Sequence, residues 1–285
     1  MSYYKILGLD KEPFSTSPDP KFFYESNEHK SALYRLRVAI ELRRGLSVIL
    51  GDVGTGKTTL SRRLSQLFGL DPSLIVTMIL NPVYESELQF LRDLAERFHI
   101  KIAPHPDGEK TVLDYLKAIE KFLFEKGVED NKTIIILVDE SQKLNLPCLE
   151  ALRSLLNYET NDTKLLQLVL FGQLELHSKI IRIPNFMDRI SFKYTLNPLS
   201  LSETREMIQF RIKQANYCSQ ARLFQDDAIE MIHRISQGYP RKITMLCHRA
   251  LKQLVMRQKW AVDEEIVGEI ISEDMRAGWL IQTHH

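Results

Sequence analysis

The fold is decided by one glycine-rich stretch, which reads Gly51-Asp52-Val53-Gly54-Thr55-Gly56-Lys57-Thr58. It follows a short apolar run at residues 46–50 and opens a helical pattern at residues 57–68. A strand that delivers a G-x-x-x-x-G-K-[ST] loop to a helix is the arrangement of a P-loop, whose backbone N–H groups surround phosphate. A chance glycine-rich turn would lack this context, so the stretch predicts a nucleotide-binding α/β domain.

The chemistry of the loop assigns roles to its residues. The glycines let the backbone turn its amide groups toward phosphate, and the positive end of the following helix adds to the attraction. Lys57 is expected to reach the β- and γ-phosphates, and the Thr58 hydroxyl is expected to bind Mg²⁺. The sequence therefore predicts ATP and Mg²⁺ as cofactors, with nucleotide contacts from Gly51, Asp52, Val53, Gly54, Thr55, Gly56, Lys57, Thr58 and Thr59.

A second segment supplies two acidic groups. The aliphatic run at residues 134–138 ends in Asp139 and Glu140. Because parallel strands end at one edge of a sheet, Asp139 should lie beside the phosphate loop and help to hold Mg²⁺, while Glu140 should polarise the attacking water. The alternative is a core strand that ends in a solvated acidic turn. The P-loop in the same chain favours the catalytic interpretation.

Three further polar residues are candidates with alternatives that stay open. Gln173 follows the apolar run at residues 165–171, where some ATPases carry a polar residue that touches the γ-phosphate or the water; a plain turn residue is the alternative. Arg189 precedes the last predicted strand, where an arginine finger for a neighbouring subunit would stand. Arg241 opens a helix of the C-terminal region and is a candidate for reaching the same phosphates. For both arginines the alternative is an ordinary surface residue.

Strands and helices alternate up to Pro198, and only helices follow. Strands are predicted at residues 46–50, 74–80, 133–138, 165–171 and 192–196. Helices are predicted at residues 29–44, 57–68, 86–98, 111–126, 147–158, 202–215, 226–236, 241–257 and 263–272, with a loop at residues 104–108. Short buried strands separated by helices predict a parallel five-stranded sheet covered on both faces. The expected domains are a proline-rich extended lead-in packed on the core (residues 1–28), an α/β domain (29–199) and a helical domain (200–285).

Composition indicates a soluble cytoplasmic protein. The formal net charge is +1, from 38 basic and 37 acidic side chains, so no global attraction to nucleic acid or to an anionic membrane is expected. The three cysteines are far apart and form no metal-ligand pattern, which favours reduced thiols. Neither a signal segment nor an apolar run of membrane-spanning length is present. His284 and His285 are given no role, since a tag remnant and native residues look alike.

Several segments in combination resemble the AAA+ ATPases related to general secretion pathway protein A, the ExeA/GspA-like family. The resemblance covers nearly the whole chain and lies in these segments: Tyr4-Lys5-Ile6-Leu7-Gly8-Leu9, Pro13-Phe14, Pro18-Asp19-Pro20-Lys21-Phe22-Phe23, the P-loop with Thr59, Asp139-Glu140-Ser141-Gln142-Lys143-Leu144, Leu149-Glu150-Ala151-Leu152-Arg153, Leu156-Asn157-Tyr158-Glu159-Thr160, Gly172-Gln173-Leu174-Glu175-Leu176, Asp188-Arg189-Ile190 and Gly238-Tyr239-Pro240-Arg241. Leu174 stands where the family has proline, and Ser141 where it has alanine.

The resemblance implies a P-loop NTPase of the AAA+ (ASCE) type with a helical lid. Asp139 and Glu140 would be its Walker B pair, Gln173 its sensor 1, Arg189 its finger and Arg241 its sensor 2. A finger that acts between subunits implies a homo-oligomer, either a ring or a filament.

Three functions remain open at this point. The resemblance implies an ATPase that drives or licenses assembly of an envelope secretion or pilus-type machine through a membrane-anchored partner. No transmembrane helix or peptidoglycan-binding segment follows the helices, so a direct cell-wall role is not expected. The alternative is a DNA-associated transposition regulator of the TnsC/MuB kind. The balanced charge weighs against DNA, although basic residues cluster at Arg241-Lys242 and residues 248–259. The third is an ATP-binding scaffold without turnover, against which the intact Glu140 argues.

Overall fold

A computed structural model describes residues 2–15, 19–102, 108–161, 163–219 and 221–278, apart from the side chain of Pro20. The predicted loop at residues 104–108 falls mostly outside the described residues, as do Pro18, His284 and His285. The chain divides into two compact units. The α/β unit comprises Asn27–Val53 and Lys57–Leu196, and the helical unit comprises Met1–Ser26, Gly54–Gly56 and Asn197–His285.

The predicted helices and strands occur in the expected order, together with two short helices that were not predicted. The strands are β1 (Leu46–Gly51), β2 (Leu74–Ile79), β3 (Thr133–Val138), β4 (Leu166–Gly172) and β5 (Ile190–Leu196). The helices are α1 (Tyr3–Ile6), α2 (Asn27–Glu41), α3 (Lys57–Phe68), α4 (Glu87–Arg97), α5 (Val112–Phe124), α6 (Leu146–Leu155), α7 (Leu174–Ile180), α8 (Leu201–Gln214), α9 (Asp226–Ser236), α10 (Pro240–Met256) and α11 (Glu264–Arg276).

The α/β unit is built on one sheet with the strand order β2-β3-β4-β1-β5. Every neighbouring pair of strands is parallel. Because the sheet is covered on both faces, its central strands are buried along their whole length, which is why they read as continuous apolar runs. This confirms the predicted P-loop NTPase fold with a parallel five-stranded sheet.

Alternate residues of each strand face opposite layers of helices. On β1, Leu46, Val48 and Leu50 pack in a core with residues of α4, α5, α6 and α7. Ile49 faces the other way, into a core with residues of α2 and α3. The period of two along the strand therefore divides the hydrophobic residues between two cores, one on each face of the sheet.

Helix ends in the α/β unit are set by capping residues. The side chain of Ser86 caps α4, Thr111 forms a capping box with Asp114 at α5, and Asn145 accepts from the N–H of Cys148 at the start of α6. Helix α6 ends at Leu155 and not at residue 158, because the chain then turns into an antiparallel bridge between Glu159 and Lys164.

Helix α7 was not predicted. It has seven residues, of which only Leu176 and Ile180 are buried, and this is too short a stretch for a helical period to stand out. Strand β5 begins at Ile190, two positions before its predicted start at Phe192.

The helical unit confirms the predicted C-terminal helical region. Helices α8 to α11 bury one common core, which also takes in Leu9, Phe14 and Phe22 from the N-terminal segment. The prediction that this segment is extended is wrong at its start, where the short helix α1 lies before the prolines and so escapes their restriction on helix formation. Among the described residues no helix is both long and apolar enough to span a bilayer.

Candidate active site

The glycine-rich loop leaves β1 at Gly51 and enters α3 at Lys57. Gly54 and Gly56 have φ values of +88° and +98°, in the left-handed region that side chains with a Cβ rarely adopt. Thr55 between them is buried. The two glycines therefore allow the tight curl with which loops of this kind surround an anion at the start of a helix.

Lys57 lies under this loop and is 5 % exposed. Its Nζ donates to the carbonyl oxygens of Gly51 and Asp52, each at 2.8 Å. Burial lowers the pKa of its ammonium, against the opposing attraction of Glu140, Asp139 and Asp52. A buried ammonium that neutral carbonyls hold in place is suited to an anionic ligand, because phosphate oxygens would supply the counter-charge.

Asp139 stands directly after β3 and is 1 % exposed. Burial raises the pKa of its carboxyl group, while hydrogen bonds from the Thr58 side chain and the Glu140 backbone act in the opposite direction. The N–H of Glu140 donates to Asp139 Oδ1 at 3.0 Å. Carboxylate and hydroxyl oxygens next to a phosphate loop form the donor set that Mg²⁺ takes up beside nucleotides. Thr58 and Asp139 therefore fit a magnesium ion.

Glu140 is connected by hydrogen bonds with the end of the neighbouring strand β4. Its backbone φ is +52°, which begins the tight helical turn at Ser141–Lys143. Its Oε2 accepts from Gln142 Nε2 at 2.9 Å and lies 3.9 Å from Lys143 Nζ. Gln142 Oε1 in turn accepts from the backbone N–H of Gln173 at 3.2 Å. The structure thus connects Glu140 with Gln173 through one amide side chain.

Gln142 is the functional candidate that sequence reasoning missed. Its only signal was its position in the Asp139-Glu140-Ser141-Gln142 segment, where Ser141 faces inward and donates to the carbonyl oxygen of Val138 at 2.8 Å. Helix α7 also packs closely against the end of β4 beside Gln173, since a Cβ at Gly172 would lie 2.6 Å from Leu176 Cδ2.

Arg189 lies away from these groups, at the end of the sheet where the strands begin. Ile190, the next residue, pairs with Leu46 at the start of β1, whereas the phosphate loop leaves the other end of β1. Its Nη1 is 3.5 Å from the carbonyl oxygen of Leu156, and its buried Nε finds no hydrogen-bond partner in the described part of the chain. The structure therefore does not bring Arg189 to the phosphate loop of its own subunit.

Arg241 is the second residue of α10 in the helical unit. A Cβ built on Gly54, which belongs to the same unit, would lie 3.1 Å from the Cβ of Arg241. Arg241 is thus close to Gly54 of the phosphate loop. Thr59, the last predicted nucleotide contact, is half-buried in the first turn of α3.

Comparisons with known proteins agree with this arrangement. A family described as AAA domain matches residues 40–180. General secretion pathway protein A of Aeromonas hydrophila is 36 % identical over 252 residues, which is 87 % of this chain and 44 % of that protein. The chain thus spans less than half of this relative's length.

Solved structures show the same fold at low identity. Cdc6p of Pyrobaculum aerophilum superposes with a TM-score of 0.65 at 17 % identity, over 88 % of this chain and 67 % of that chain. The RuvB Holliday junction branch migration motor of Thermotoga maritima gives 0.57 at 17 % identity, over 92 % and 73 %.

The sheet order, the P-loop and the paired carboxylates at the end of β3 define a P-loop NTPase fold of the AAA+ class. Within that class, the chain is an ExeA/GspA-like AAA+ ATPase, related to General secretion pathway protein A.

Proposed function

We propose that this protein binds ATP with Mg²⁺ and hydrolyses it to ADP and phosphate. The observation that supports this most directly is that Lys57, Thr58, Asp139 and Glu140 meet at one end of the sheet although they come from separate segments. The buried ammonium of Lys57 would pair with the β- and γ-phosphates, and residues 51–59 would surround them. Thr58 and Asp139 would hold Mg²⁺, which neutralises charge on the phosphates.

In this proposal Glu140 orients the attacking water. Its carboxylate would accept a hydrogen bond from the water and draw off the proton as the oxygen approaches the γ-phosphorus. Gln173, at the end of the adjacent strand β4, would contact the γ-phosphate or the same water. Lys57 would stabilise negative charge on the phosphate oxygens as the bond to ADP breaks.

Arg189 has a place in the reaction only if a second copy contributes it. Strand β1 separates it from the phosphate loop of its own subunit by roughly 17 Å, since the five steps from Leu46 to Gly51 each add about 3.3 Å. An arginine side chain does not span that distance. We therefore propose a homo-oligomer, a ring or a filament, in which Arg189 of one copy reaches the nucleotide of the next.

Arg241 is proposed as a further contact to the nucleotide phosphates. The closeness of its Cβ to the position of Gly54 supports this role. We also propose that residues 1–28 form a lead-in, residues 29–199 an ATPase domain and residues 200–285 a helical lid. The protein would act on the cytoplasmic side of the membrane, where ATP is available.

For the biological role we propose that the ATPase drives or licenses assembly of an envelope secretion or pilus-type machine, through a membrane-anchored partner. The support is the relation to General secretion pathway protein A. DNA is the less favoured partner, although one solved neighbour is named for Holliday junction branch migration. Within the helical unit, Arg249 pairs with Asp274, Arg257 with Glu269 and Lys259 with Asp263. Much of the basic cluster at residues 248–259 is therefore already neutralised.

The catalytic assignment is tested by Glu140→Gln. This variant should bind ATP with wild-type affinity and lose turnover by roughly a hundredfold or more, because the amide cannot take a proton from water. The matched control is Glu175→Gln, which removes an exposed carboxylate that also acts on Lys57 but is not assigned to the water. Steady-state phosphate release and equilibrium binding of ATP measure both effects. Wild-type turnover in Glu140→Gln would show that the base is misassigned.

The partner class is tested by the ATPase rate alone, with duplex DNA and with anionic lipid vesicles. The proposed envelope role predicts little change with DNA. Stimulation by DNA that weakens with added salt would overturn it in favour of the DNA-associated alternative. Tight ATP binding without turnover in all three conditions would leave a nucleotide-dependent scaffold.

A further inference from the structure

We propose that Gln142 is a positioning residue, which holds the Glu140 carboxylate in a fixed orientation relative to the end of β4. The proposal rests on the proposed ATP hydrolysis, and it assigns a role to a residue that does not itself contact the reacting groups of that proposal. It starts from the two hydrogen bonds of the Gln142 side chain, which connect Glu140 on one side with the backbone of Gln173 on the other.

The amide of Gln142 is suited to this bridge because its two ends differ. Its NH₂ group donates to Glu140 Oε2 at 2.9 Å, and its Oε1 accepts from the N–H of Gln173 at 3.2 Å. A single orientation of the amide satisfies both contacts, since the flipped amide would place oxygen against carboxylate and N–H against N–H. A glutamate can accept but cannot donate when ionised, and a leucine can do neither.

Gln142 is itself fixed from a third side. Lys179 of α7 donates from Nζ to the carbonyl oxygen of Gln142 and, at 2.9 Å, to that of Leu144. The turn that follows Glu140 is therefore tied to α7, and α7 begins directly after Gln173. The side chain of Gln142 thus projects from an anchored backbone, so its NH₂ group presents a defined donor to the carboxylate.

The other neighbour of Glu140 is a weaker restraint. Lys143 Nζ lies 3.9 Å from Glu140 Oε2, and it donates to Asn81 Oδ1 at 3.0 Å instead, with 45 % of its side chain exposed. Exposed ion pairs at this distance contribute little to orientation. Gln142 therefore gives the Glu140 carboxylate a directional hydrogen bond that Lys143 does not supply. An error of an ångström in a reacting group is enough to slow catalysis strongly.

The test compares Gln142→Leu with Gln167→Leu. Gln167 is a matched control, because its amide also bridges two backbone groups: Oε1 accepts from the N–H of Gly45 at 2.8 Å and Nε2 donates to the carbonyl oxygen of Lys164 at 2.9 Å. Gln167 lies at the other end of β4 from Gln173, so Gln167→Leu removes the same kind of amide bridge far from Glu140. Gln142→Glu is the second variant, which keeps the side-chain volume if the leucine variant fails to fold.

Turnover, KM and the Kd for ATP are measured on each variant, with rates normalised to bound nucleotide. Gln142→Leu and Gln142→Glu should lower kcat roughly tenfold to a hundredfold with Kd unchanged, because binding does not use the Glu140 carboxylate. Gln167→Leu should lower the melting temperature and leave kcat unchanged. A kcat within twofold of wild type in a folded Gln142 variant, a rise in kcat, or an equal loss in Gln167→Leu would overturn the inference.

The two proposals fail in different ways. If wild-type protein turns over ATP and Glu140→Gln does not, while the Gln142 variants behave as wild type, only the role of Gln142 is wrong. If wild-type protein shows no turnover, the proposed hydrolysis itself is wrong. If Glu140→Gln retains wild-type turnover, Glu140 is not the base. In either case the role of Gln142 is overturned as well.

Discussion

Lys57 and Asp139 are ionisable residues that the fold buries even without a bound ligand. Burial lowers the pKa of the first and raises the pKa of the second, so for each group the surroundings favour the neutral form. Their mutual attraction only partly offsets this cost. Phosphate next to Lys57 and a divalent cation next to Asp139 would supply the missing counter-charges. The site therefore lowers the stability of the fold in favour of binding nucleotide and metal, which is common at functional sites.

Asp139→Asn should consequently make the protein more stable while it abolishes magnesium-dependent turnover. The raised folded-state pKa means that the carboxyl group favours folding below its unfolded pKa of about 3.9 and loses this contribution as the pH rises through the folded value. The gain in unfolding free energy should thus be near zero in acid and reach the order of 1 kcal/mol at neutral pH. Urea unfolding across the pH range measures it.

Asp130→Asn is the control with the opposite sign. Lys126, 2.6 Å away, lowers the pKa of the Asp130 carboxyl group, so this residue stabilises the fold at neutral pH and stops doing so in acid. Its replacement should lower stability at neutral pH and have no effect in acid. The explanation for Asp139 would fail if Asp139→Asn were also less stable at neutral pH.

At the scale of elements, sequence predicted what is local and missed what depends on register. The P-loop and the Asp139–Glu140 pair each lie within one short segment, and side chains such as Ser86, Thr111 and Ser200 cap helices near their predicted starts. The bridge from Glu140 to Gln173 could not be predicted, because it depends on the pairing of β3 with β4 and on α7. The environment of Arg189 depends in the same way on where α6 ends.

The connection from α9 to α10 gives a prediction for one glycine. Gly238 has a φ of +73°, and a Cβ there would lie 2.1 Å from the carbonyl oxygen of Leu199, whose N–H donates to Gly238 O at 2.9 Å. Gly8 has a similar φ of +75° with nothing within 4 Å of an added Cβ. Gly8→Ala should therefore cost about 1 kcal/mol, from backbone strain alone.

Gly238→Ala should cost at least about 2 kcal/mol more than Gly8→Ala, because the backbone of Leu199 has to move as well. Chemical denaturation of the two variants measures this difference. Equal losses would mean that the contact between Leu199 and Gly238 relaxes without cost, and that the glycine is needed only for its φ.

At the scale of the whole molecule, the proposed catalytic groups lie at two ends of one parallel sheet. Lys57, Asp139 and Glu140 stand where β1 and β3 end, and Arg189 stands before β5 begins. Strands that all run in one direction keep these ends apart, however the side chains rotate. An active site that needs both ends therefore has to be assembled from two copies, and assembly would then control turnover.

Mixing two inactive variants tests this assembly directly. Arg189→Ala should lose turnover roughly a thousandfold, and Glu140→Gln should lose it for a separate reason, while both still bind ATP. In a mixed oligomer, a Glu140→Gln copy can donate its intact Arg189 to the intact Glu140 of an Arg189→Ala copy. Random mixing in equal amounts should restore about a quarter of the wild-type rate per site. The double variant Glu140→Gln with Arg189→Ala, mixed with Arg189→Ala, should restore nothing. A first mixture as inactive as this control, or an active Arg189→Ala protein alone, would rule out a finger contributed between copies.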